Sequence, residues 1–136
     1  MTPADMAAIH RASFVAPRPW SMSELNDILA APNTHLFEDP YGFAITRHAG
    51  PEAELLTIAV DPNQRRQRIA RRLMDALISH AKHAGVEEIF LEVAETNEAA
   101  ISLYKSSGFL VKATRKHYYT GPEGQKISAY IMALSI

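Results

Sequence analysis

The stretch from residue 53 to residue 93 changes its hydrophobic pattern twice, and this constrains the fold more than any other feature of the sequence. Residues 53–60, AELLTIAV, form a mostly apolar run that suits a strand covered on both faces. From Ala70, apolar residues recur at helical spacing, which predicts an amphipathic helix that ends at Gly85. Residues 87–93, EEIFLEV, then predict another strand. The chain therefore has a strand-to-helix crossing at its centre, as expected for a mixed α/β domain.

Further helices and strands are predicted on both sides of this crossing. Ser21 and Glu24 form a capping-box pair, and Asn97 or Thr96 can cap a later helix. The predicted elements are helices at 2–14 and 22–30, strands at 34–38 and 42–48, a helix at 98–107, and antiparallel strands at 109–114 and 126–134. The order ααβββ-α-β-α-ββ, with no linker, predicts a single domain over residues 1–136.

Composition excludes several classes of protein. The chain has 136 residues, 47% of them hydrophobic and 21% charged, which is typical of a globular domain. A formal net charge of −1 gives no overall field that favours nucleic acid, and the absence of cysteine excludes disulfides and thiolate chemistry. The start has no signal-peptide pattern, and no apolar run approaches the roughly 20 residues of a membrane span. We expect a cytoplasmic monomer or weak dimer without nucleic-acid or membrane partners.

An arginine-rich loop follows the central strand. Residues 65–72 read RRQRIARR, with five arginines where the helix begins. A helix start presents unpaired N–H groups to anions, and Arg66, Arg68 and Arg71 add forked donors that suit phosphate oxygens. A solvated basic surface and an RNA-binding surface are the alternatives. Cations at a helix start oppose the macrodipole, which favours a bound anion, whereas the lack of interleaved aromatic residues disfavours RNA.

Three long stretches carry a resemblance to a known family: LTIAVDPNQRRQRIARRLM, GVEEIFLEVAETNEAAISLYKSSGF and ATRKHYY. Together they resemble the GNAT family of acetyl-coenzyme A-dependent N-acetyltransferases. The family's loop pattern, (Gln/Arg)-x-x-Gly-x-(Gly/Ala), corresponds to residues 65–70, with Arg68 in place of the first glycine. With RPWS at 18–21 and IMAL at 131–134, the likeness is to one branch, the ribosomal-protein-alanine N-acetyltransferases (RimI type).

The resemblance implies the acyl-CoA N-acyltransferase fold, which is a central mixed sheet flanked by helices. Such enzymes usually begin with an edge strand, but here a helix is predicted from residue 2. We therefore expect the usual first edge strand to be missing.

The resemblance also implies a site for acetyl-CoA and no metal. By this likeness, the main chain of the central strand binds the pantetheine arm, the backbone of the arginine loop binds the pyrophosphate, and Asn97 contacts the coenzyme. The implied cofactor-binding residues are Ile58, Ala59, Val60, Arg66, Gln67, Arg68, Ile69, Ala70, Arg71 and Asn97. We expect Arg68 to keep an ordinary backbone conformation with φ below zero, and its guanidinium to point towards solvent or the nucleotide.

Two residues are the candidates for proton transfer. Because side chains alternate along a strand, Glu92 lies on the face opposite Leu91 and Val93. A carboxylate in an otherwise apolar strand costs free energy, which favours a functional role for Glu92. The resemblance implies that Glu92 is the general base and that Tyr104 is the general acid for the departing sulfur. A solvated strand carboxylate and a core aromatic residue are the alternative interpretations.

Three aromatic residues are candidates for binding the acceptor. We expect Tyr118 and Tyr119 in the hairpin after the penultimate strand, at a peptide entrance, although edge-strand packing would also explain them. Trp20 could form the opposite wall. Ser128 occupies a region where relatives often carry an acidic residue, which bears on peptide selectivity.

The branch implies that the acceptor is a protein N-terminus, namely the N-terminal alanine of a ribosomal protein. A small-molecule or lysine amine is an alternative acceptor. A catalytically impaired acyl-CoA-binding module is a further alternative, because Arg68 replaces a glycine and the first strand is missing.

Two histidines also have a spacing that could suit a metal. His80 and His83 lie three residues apart on the predicted central helix. Since the sequence predicts no carboxylate or third ligand near them, we interpret both as surface residues and expect no metal.

Overall fold

The fold is a six-stranded mixed sheet with four α-helices, seen in a computed structural model that describes residues 1–13, 18–65 and 67–136. The elements are α1 (Pro3–Ser13), α2 (Met22–Ala30), β1 (Thr34–Asp39), β2 (Gly42–Ala49), β3 (Glu52–Val60), a 3-10 turn (Pro62–Gln64), α3 (Ile69–His83), β4 (Glu88–Ala94), α4 (Glu98–Ser106), β5 (Leu110–Thr120) and β6 (Lys126–Ser135). The predicted order is confirmed. Within the described ranges no strand precedes α1, and none of the helices is long and apolar enough to cross a bilayer.

Local sequence signals determine where the helices begin and end. The Glu24 N–H donates to the Ser21 hydroxyl at 3.2 Å, and the Ser21 N–H donates to the Glu24 carboxylate at 3.2 Å, which completes the predicted capping box. Asn97 caps α4 by accepting a hydrogen bond from the Ala100 N–H. Gly85 ends α3 in the left-handed region with φ of 81°. The predicted end of the first helix, Phe14, lies outside the described residues.

The sheet contains a single parallel pairing among the strands that the structure describes. The strand order is β1-β2-β3-β4-β6-β5, and every neighbouring pair is antiparallel except β3 with β4. Helix α3 makes the crossover between these two strands, as predicted. The antiparallel pairing of the last two strands is confirmed as well.

The parallel pairing of β3 with β4 is short. The register joins Glu52 with Glu88 and continues only as far as Glu54 with Phe90, among the residues described. On its other side, β3 remains paired with β2 as far as Val60. The sheet therefore opens between the second halves of β3 and β4, and the main chain of β3 there has an edge that an extended ligand can pair with.

Hydrophobic residues pack on both faces of the sheet. Neighbouring residues of a strand point to opposite faces, so β2 contributes Ala44 to one cluster and Phe43 to the other. The cluster beneath α3 and α4 includes Leu73, Met74, Leu77, Ile89, Leu91 and Phe109, and the cluster beneath α1 and α2 includes Met6, Leu25, Phe43 and Ile45. This packing holds the ends of β3 and β4 on which the candidate site is built.

Strand β5 is longer than predicted. The sequence predicts a strand that ends at Thr114, but β5 continues to Thr120. Its register on β6 shifts between Arg115 and Tyr119, where His117 has a φ of 53°. The prediction that Tyr118 and Tyr119 lie in the following hairpin is therefore wrong, because the irregularity lets pairing resume beyond the predicted end.

Candidate active site

Two clefts lie where β3 and β4 diverge, and they meet at Ile58 and Asn97, which line both. The large cleft has a volume of about 430 Å³ and extends along the end of β3 to the start of α3. The small cleft has a volume of about 200 Å³ and extends between β3 and β4 towards Trp20 and Tyr119. A ligand in the large cleft can therefore present a reactive group to the small one.

Most of the predicted cofactor-binding residues line the large cleft. They are Ile58, Ala59, Val60, Arg68, Ile69, Ala70, Arg71 and Asn97. Gln67 does not line it, and its side-chain amide donates to Gln64 Oε1 at 2.9 Å. Arg66 lies outside the described residues.

Helix α3 points its free N–H groups towards this cleft. The first hydrogen bond within the helix runs from the Arg72 N–H to the Arg68 carbonyl oxygen at 3.0 Å. The N–H groups of residues 69–71 therefore lack an acceptor inside the helix, and Ile69 lines the cleft. Such a helix start attracts anions through its N–H groups and the helix dipole.

Arg68 has the backbone conformation that normally favours glycine. It precedes α3 with φ 59° and ψ 24°, so the prediction that φ is below zero is wrong. The chain turns from the 3-10 turn into α3 at this residue, and that turn uses a left-handed conformation. A residue with a Cβ adopts it at a cost of about 1–2 kcal/mol. The loop thus keeps a glycine-like shape, while the Arg68 side chain is exposed and makes no capping hydrogen bond.

Two other arginines of the loop are held by nearby groups. Arg71 Nη1 donates to the Ser107 hydroxyl at 2.9 Å and so connects α3 with the end of α4. Arg72 lies 3.1 Å from the carboxylate of Asp39 and donates to the Gln67 carbonyl oxygen. Part of the positive charge of the loop is therefore neutralised within the protein, and Arg71 is positioned on the wall of the large cleft.

Ser13 is a residue of the large cleft that the sequence does not predict. Its hydroxyl donates to the Val60 carbonyl oxygen at 3.2 Å and ties the end of α1 to the end of β3. The two residues are 47 positions apart. No local pattern signals this contact, since it depends on α1 packing over the sheet.

The small cleft brings the two predicted catalytic residues together. Glu92 and Tyr104 both line it, from β4 and α4 respectively. The predicted alternation of β4 is confirmed, since Leu91 and Val93 are buried while Glu92 is only partly buried. Tyr104 is 6% exposed, and this burial raises its pKa well above the usual value for a phenol. The raised pKa favours the protonated form of the Tyr104 hydroxyl, which can donate a hydrogen bond.

Glu92 has a charged partner on β5. Its carboxylate lies 3.1 Å from Arg115 Nη1. Burial, with a contribution from the Glu92 charge, raises the pKa of Tyr119 to about 12. The guanidinium of Arg115 also lies 4.9 Å above the Tyr118 ring. Arg115 belongs to the stretch ATRKHYY, but its pairing with Glu92 was not predicted.

The two tyrosines of β5 lie in different surroundings. Tyr119 lines the small cleft, as expected of an acceptor-binding residue. Tyr118 is 49% exposed, does not line either cleft, and makes an edge contact with Tyr119 at 5.0 Å between ring centroids. Tyr118 can therefore affect the small cleft only through its neighbours.

Trp20 forms part of the wall of the small cleft and is held by a buried histidine. The backbone N–H of Trp20 donates to His10 Nδ1 at 2.9 Å. The indole and imidazole rings stack with centroids 4.9 Å apart. Because Nδ1 accepts, the neutral ring carries its proton on Nε2, which donates to the Thr57 hydroxyl at 3.1 Å. Desolvation lowers the pKa of His10 to about 4, so the ring is neutral at neutral pH. The sequence does not predict this role.

Ser128 lies beside an acidic residue from another element. The Ser128 N–H donates to Glu95 Oε1 at 3.1 Å, and the Glu95 N–H donates to the Ser128 carbonyl oxygen at 2.9 Å. An acidic group is therefore present next to the position where the sequence has a serine.

The two histidines of α3 are not equivalent. His83 is exposed, as predicted, and its Nδ1 lies 2.8 Å from the Ser79 carbonyl oxygen. His80 is partly buried and packs against His35 and His48. The prediction that His80 is a surface residue without further ligands nearby is wrong, because tertiary packing brings β1 and β2 against this end of α3.

Comparisons with known proteins agree with this geometry. The sequence profile of the Acetyltransferase (GNAT) family matches residues 5–109. The [Ribosomal protein bS18]-alanine N-acetyltransferase of Escherichia coli (strain K12) is 45% identical over 94 residues, which are 69% of this chain and 63% of that protein. The protein of the same name from Haemophilus ducreyi is 37% identical over 120 residues, covering 85% of this chain and 83% of that protein.

A solved structure extends the likeness to the fold. The crystal structure of the ribosomal-protein-S18-alanine N-acetyltransferase from Escherichia coli superposes with a TM-score of 0.87 at 33% identity. The superposition covers 98% of this chain and 87% of that chain. The mixed sheet with flanking helices is therefore the GNAT fold, as the sequence predicted.

Proposed function

The chain belongs to the GNAT acetyltransferase family, and we propose that it transfers the acetyl group of acetyl-CoA to the α-amino group of a protein N-terminus. The names of its relatives favour the N-terminal alanine of a ribosomal protein as the acceptor. We treat residues 1–136 as one catalytic domain. The observation that carries the proposal is the junction of the two clefts, where Glu92 and Tyr104 line the small cleft beside the open edge of β3.

The large cleft fits the chemistry of acetyl-CoA. The N–H groups at the start of α3 suit the pyrophosphate, and Arg71 adds a positive charge on the wall. The main chain of Ile58, Ala59 and Val60 suits the amide groups of the pantetheine arm, which would add to β3 like a short strand. The thioester would then lie where the two clefts meet, near Ile58 and Asn97.

The small cleft supports a direct transfer. Glu92 would take a proton from the acceptor ammonium, and the free amine would attack the thioester carbonyl carbon. The new C–N bond forms as the C–S bond breaks, and the sulfur leaves as a thiolate. Because burial keeps the Tyr104 phenol protonated, its hydroxyl would stabilise this thiolate by donating a hydrogen bond. The attacking nitrogen loses a second proton as the amide forms, and the thiolate takes up one proton to become the thiol. The proton that Glu92 accepted returns to solvent, so one proton is released per acetyl group transferred.

The conformation of Arg68 favours an active enzyme over an impaired binding module. The impaired alternative was motivated by the loss of a glycine at this position and by the missing first strand. Since Arg68 adopts φ 59°, the loop backbone still has the shape that a glycine would give it. Its side chain makes no capping hydrogen bond with the start of α3, and Arg68 lines the large cleft, where its charge can assist in binding an anion.

The proposal is tested by mass spectrometry of peptides incubated with the protein and acetyl-CoA. The panel contains ribosomal N-terminal peptides that begin with alanine, the same peptides with a blocked N-terminus and an internal lysine, and simple amines. We expect acetylation of the free alanine α-amino group. Acetylation of lysine or of simple amines alone would favour the alternative acceptors. Coenzyme A binding without turnover of any substrate would favour the binding module.

Variants test the roles of the two catalytic candidates. Glu92→Gln should lower kcat by about 10²- to 10⁴-fold without weakening coenzyme A binding, since it removes the base and keeps the size of the side chain. Tyr104→Phe should lower kcat less, because it removes a hydrogen bond to the leaving group. Glu88→Gln is the matched control, since Glu88 lies on the same strand, at the end paired with β3. An active Glu92→Gln variant would contradict the assignment of the base.

A further inference from the structure

Three histidines from three elements meet on one side of the sheet. His35 on β1 and His48 on β2 face α3, which contributes His80. The ring centroid of His35 lies 4.4 Å from that of His48 and 4.5 Å from that of His80. The ring centroids of His48 and His80 are 5.4 Å apart. We call these three residues the histidine cluster.

The strand register explains how the cluster forms. His35 pairs with Thr46, and the His48 N–H donates to the Asn33 carbonyl oxygen, so the two histidines lie two residues apart along the same face of the β1–β2 pair. His80 follows Leu77 by three positions and therefore extends the buried stripe of α3 over this face. Each histidine is partly buried.

Buried polar atoms without hydrogen-bond partners concentrate at this place. In the part of the chain that the structure describes, they are Thr46 Oγ1, His48 Nε2 and His80 Nδ1. A buried polar group without a partner costs about 1–3 kcal/mol. Two of the three atoms belong to the cluster, and the third belongs to the residue that pairs with His35. A ligand that accepts lone pairs from imidazole nitrogens would remove this cost at His48 and His80.

The spacing of the rings suits one metal ion. One potential ligand nitrogen from each histidine lies within 4.8 Å of the others. With zinc–nitrogen bonds of about 2.0–2.1 Å and tetrahedral angles, ligand nitrogens are about 3.4 Å apart and ring centroids about 5 Å apart. The observed centroid separations of 4.4–5.4 Å already bracket that value. Small side-chain rotations would bring the nitrogens to bonding distance.

The chemistry of the rings also suits a metal. The cluster offers one imidazole nitrogen from each of three partly buried rings. Imidazole is a preferred ligand for zinc and the neighbouring transition metals. No acidic residue belongs to the cluster within the described ranges, so three neutral ligands would leave a fourth position for water.

We propose that His35, His48 and His80 bind one Zn²⁺ ion that links β1 and β2 to α3. The ion would lie away from the start of α3 that lines the large cleft, because His80 is 11 residues from Ile69, or about 16 Å along α3. It would stabilise the fold through binding to the native state and take no part in acetyl transfer. The proposal is independent of the proposed enzymatic function.

The test uses the full chain without a histidine tag, after treatment with a chelator. Co²⁺ serves as a spectroscopic probe for Zn²⁺, since its visible absorption bands report tetrahedral coordination, and Zn²⁺ then competes for the same site. We expect saturation at one equivalent, and a higher Tm when Zn²⁺ is present. His80→Gln and His48→Gln should weaken binding by at least about tenfold. His83→Gln, on the exposed side of the same helix, should bind as tightly as the wild-type protein.

The metal titration of the wild-type protein tests by itself whether the site exists, and it does not depend on any variant being folded. Absence of a saturable Co²⁺ signal and of any Tm shift with Zn²⁺ would overturn the proposal. An equal loss of binding in His83→Gln and His80→Gln would also overturn it, because the ion would then be held elsewhere. Circular dichroism of each variant separates loss of the ligand from loss of the fold.

Discussion

Arg115 Nη1 lies 3.1 Å from the carboxylate of Glu92, so the proposed base is already paired with a cation before any acceptor arrives. The Arg115 side chain is 52% exposed and the Glu92 side chain 25% exposed. Pairs with such access to water contribute about 0.2–1 kcal/mol, which corresponds to less than about a fivefold change in an equilibrium or rate. Arg115 can therefore orient Glu92 without trapping it.

The small energy of the Arg115–Glu92 pair predicts how Arg115→Gln changes kcat. We expect kcat to fall by no more than about fivefold, since the exposed ion pair contributes at most about 1 kcal/mol to the position of the Glu92 carboxylate. Steady-state kinetics with the alanine peptide measures the effect, and Arg18→Gln, which breaks the exposed Arg18–Glu24 pair outside both clefts, is the control for loss of a surface ion pair. A loss as large as that of Glu92→Gln would mean that Arg115 is itself essential to the transfer.

The left-handed conformation of Arg68 predicts an unusual stabilising substitution. Arg68→Gly should raise the free energy of unfolding by about 0.5–1 kcal/mol, because the cost of a Cβ at φ 59° exceeds the entropy that glycine loses on folding. Arg68→Ala keeps the Cβ and should give no such gain. Arg65→Gly should be destabilising, since Arg65 has an ordinary φ of −72°. Urea unfolding of the three variants measures these differences, and equal effects of Arg68→Gly and Arg65→Gly would refute the explanation.

The burial of His10 predicts a dependence of stability on pH. Its pKa falls from the usual 6.5 to about 4 through desolvation, so between these values the unfolded chain binds more protons than the native protein. The stabilising contribution is complete above about pH 6.5 and is lost as the pH falls towards 4. We expect the loss of stability over this range to be about 2–3 kcal/mol, since each pKa unit corresponds to about 1.4 kcal/mol and His10 is buried.

His10→Gln isolates this contribution. Glutamine does not titrate, and its amide can replace one of the hydrogen bonds to Trp20 and Thr57. The variant should be less stable than wild type at pH 7, and the difference should shrink at pH 4. Urea unfolding at several pH values measures both curves. Parallel curves over this range would contradict the assignment to His10.

The close approach at Gly42 predicts a substitution that affects the large cleft indirectly. A Cβ at this position would lie 2.9 Å from the Ala59 carbonyl oxygen and 3.1 Å from Ile69 Cγ2. Gly42→Ala should therefore cost about 1–3 kcal/mol and weaken coenzyme A binding, because Ala59 and Ile69 both line that cleft.

Gly124→Ala provides the comparison for Gly42→Ala. Gly124 has a φ of 80° and open space around its Cα, so alanine there should destabilise the hairpin without changing the affinity for coenzyme A. Calorimetry with coenzyme A measures affinity, and thermal unfolding measures stability. If both variants lost affinity equally, the effect would come from general destabilisation and not from the cleft.

The residues of the small cleft illustrate how far sequence reasoning reaches. Alternation along β4 placed Glu92 away from Leu91 and Val93, and the family resemblance selected Glu92 and Tyr104 together. The partner Arg115 was missed because β5 reaches β4 only through β6, an order that no local pattern specifies. His10 and Ser13 were missed for the same reason, since their partners Thr57 and Val60 are each 47 residues away.

The sequence by itself determined the order of helices and strands and the capping of α2 and α4, and its family resemblance selected the residues of β3 and α3 that line the large cleft. These features depend on interactions over a few residues and on hydrophobic periodicity, which the chain displays directly. Tertiary structure alone decided the left-handed conformation of Arg68, the Glu92–Arg115 pair and the histidine cluster. Each of these depends on how elements that are distant in the sequence pack together. Packing determines where a strained backbone, a buried polar group or a pair of charges is stabilised by its surroundings.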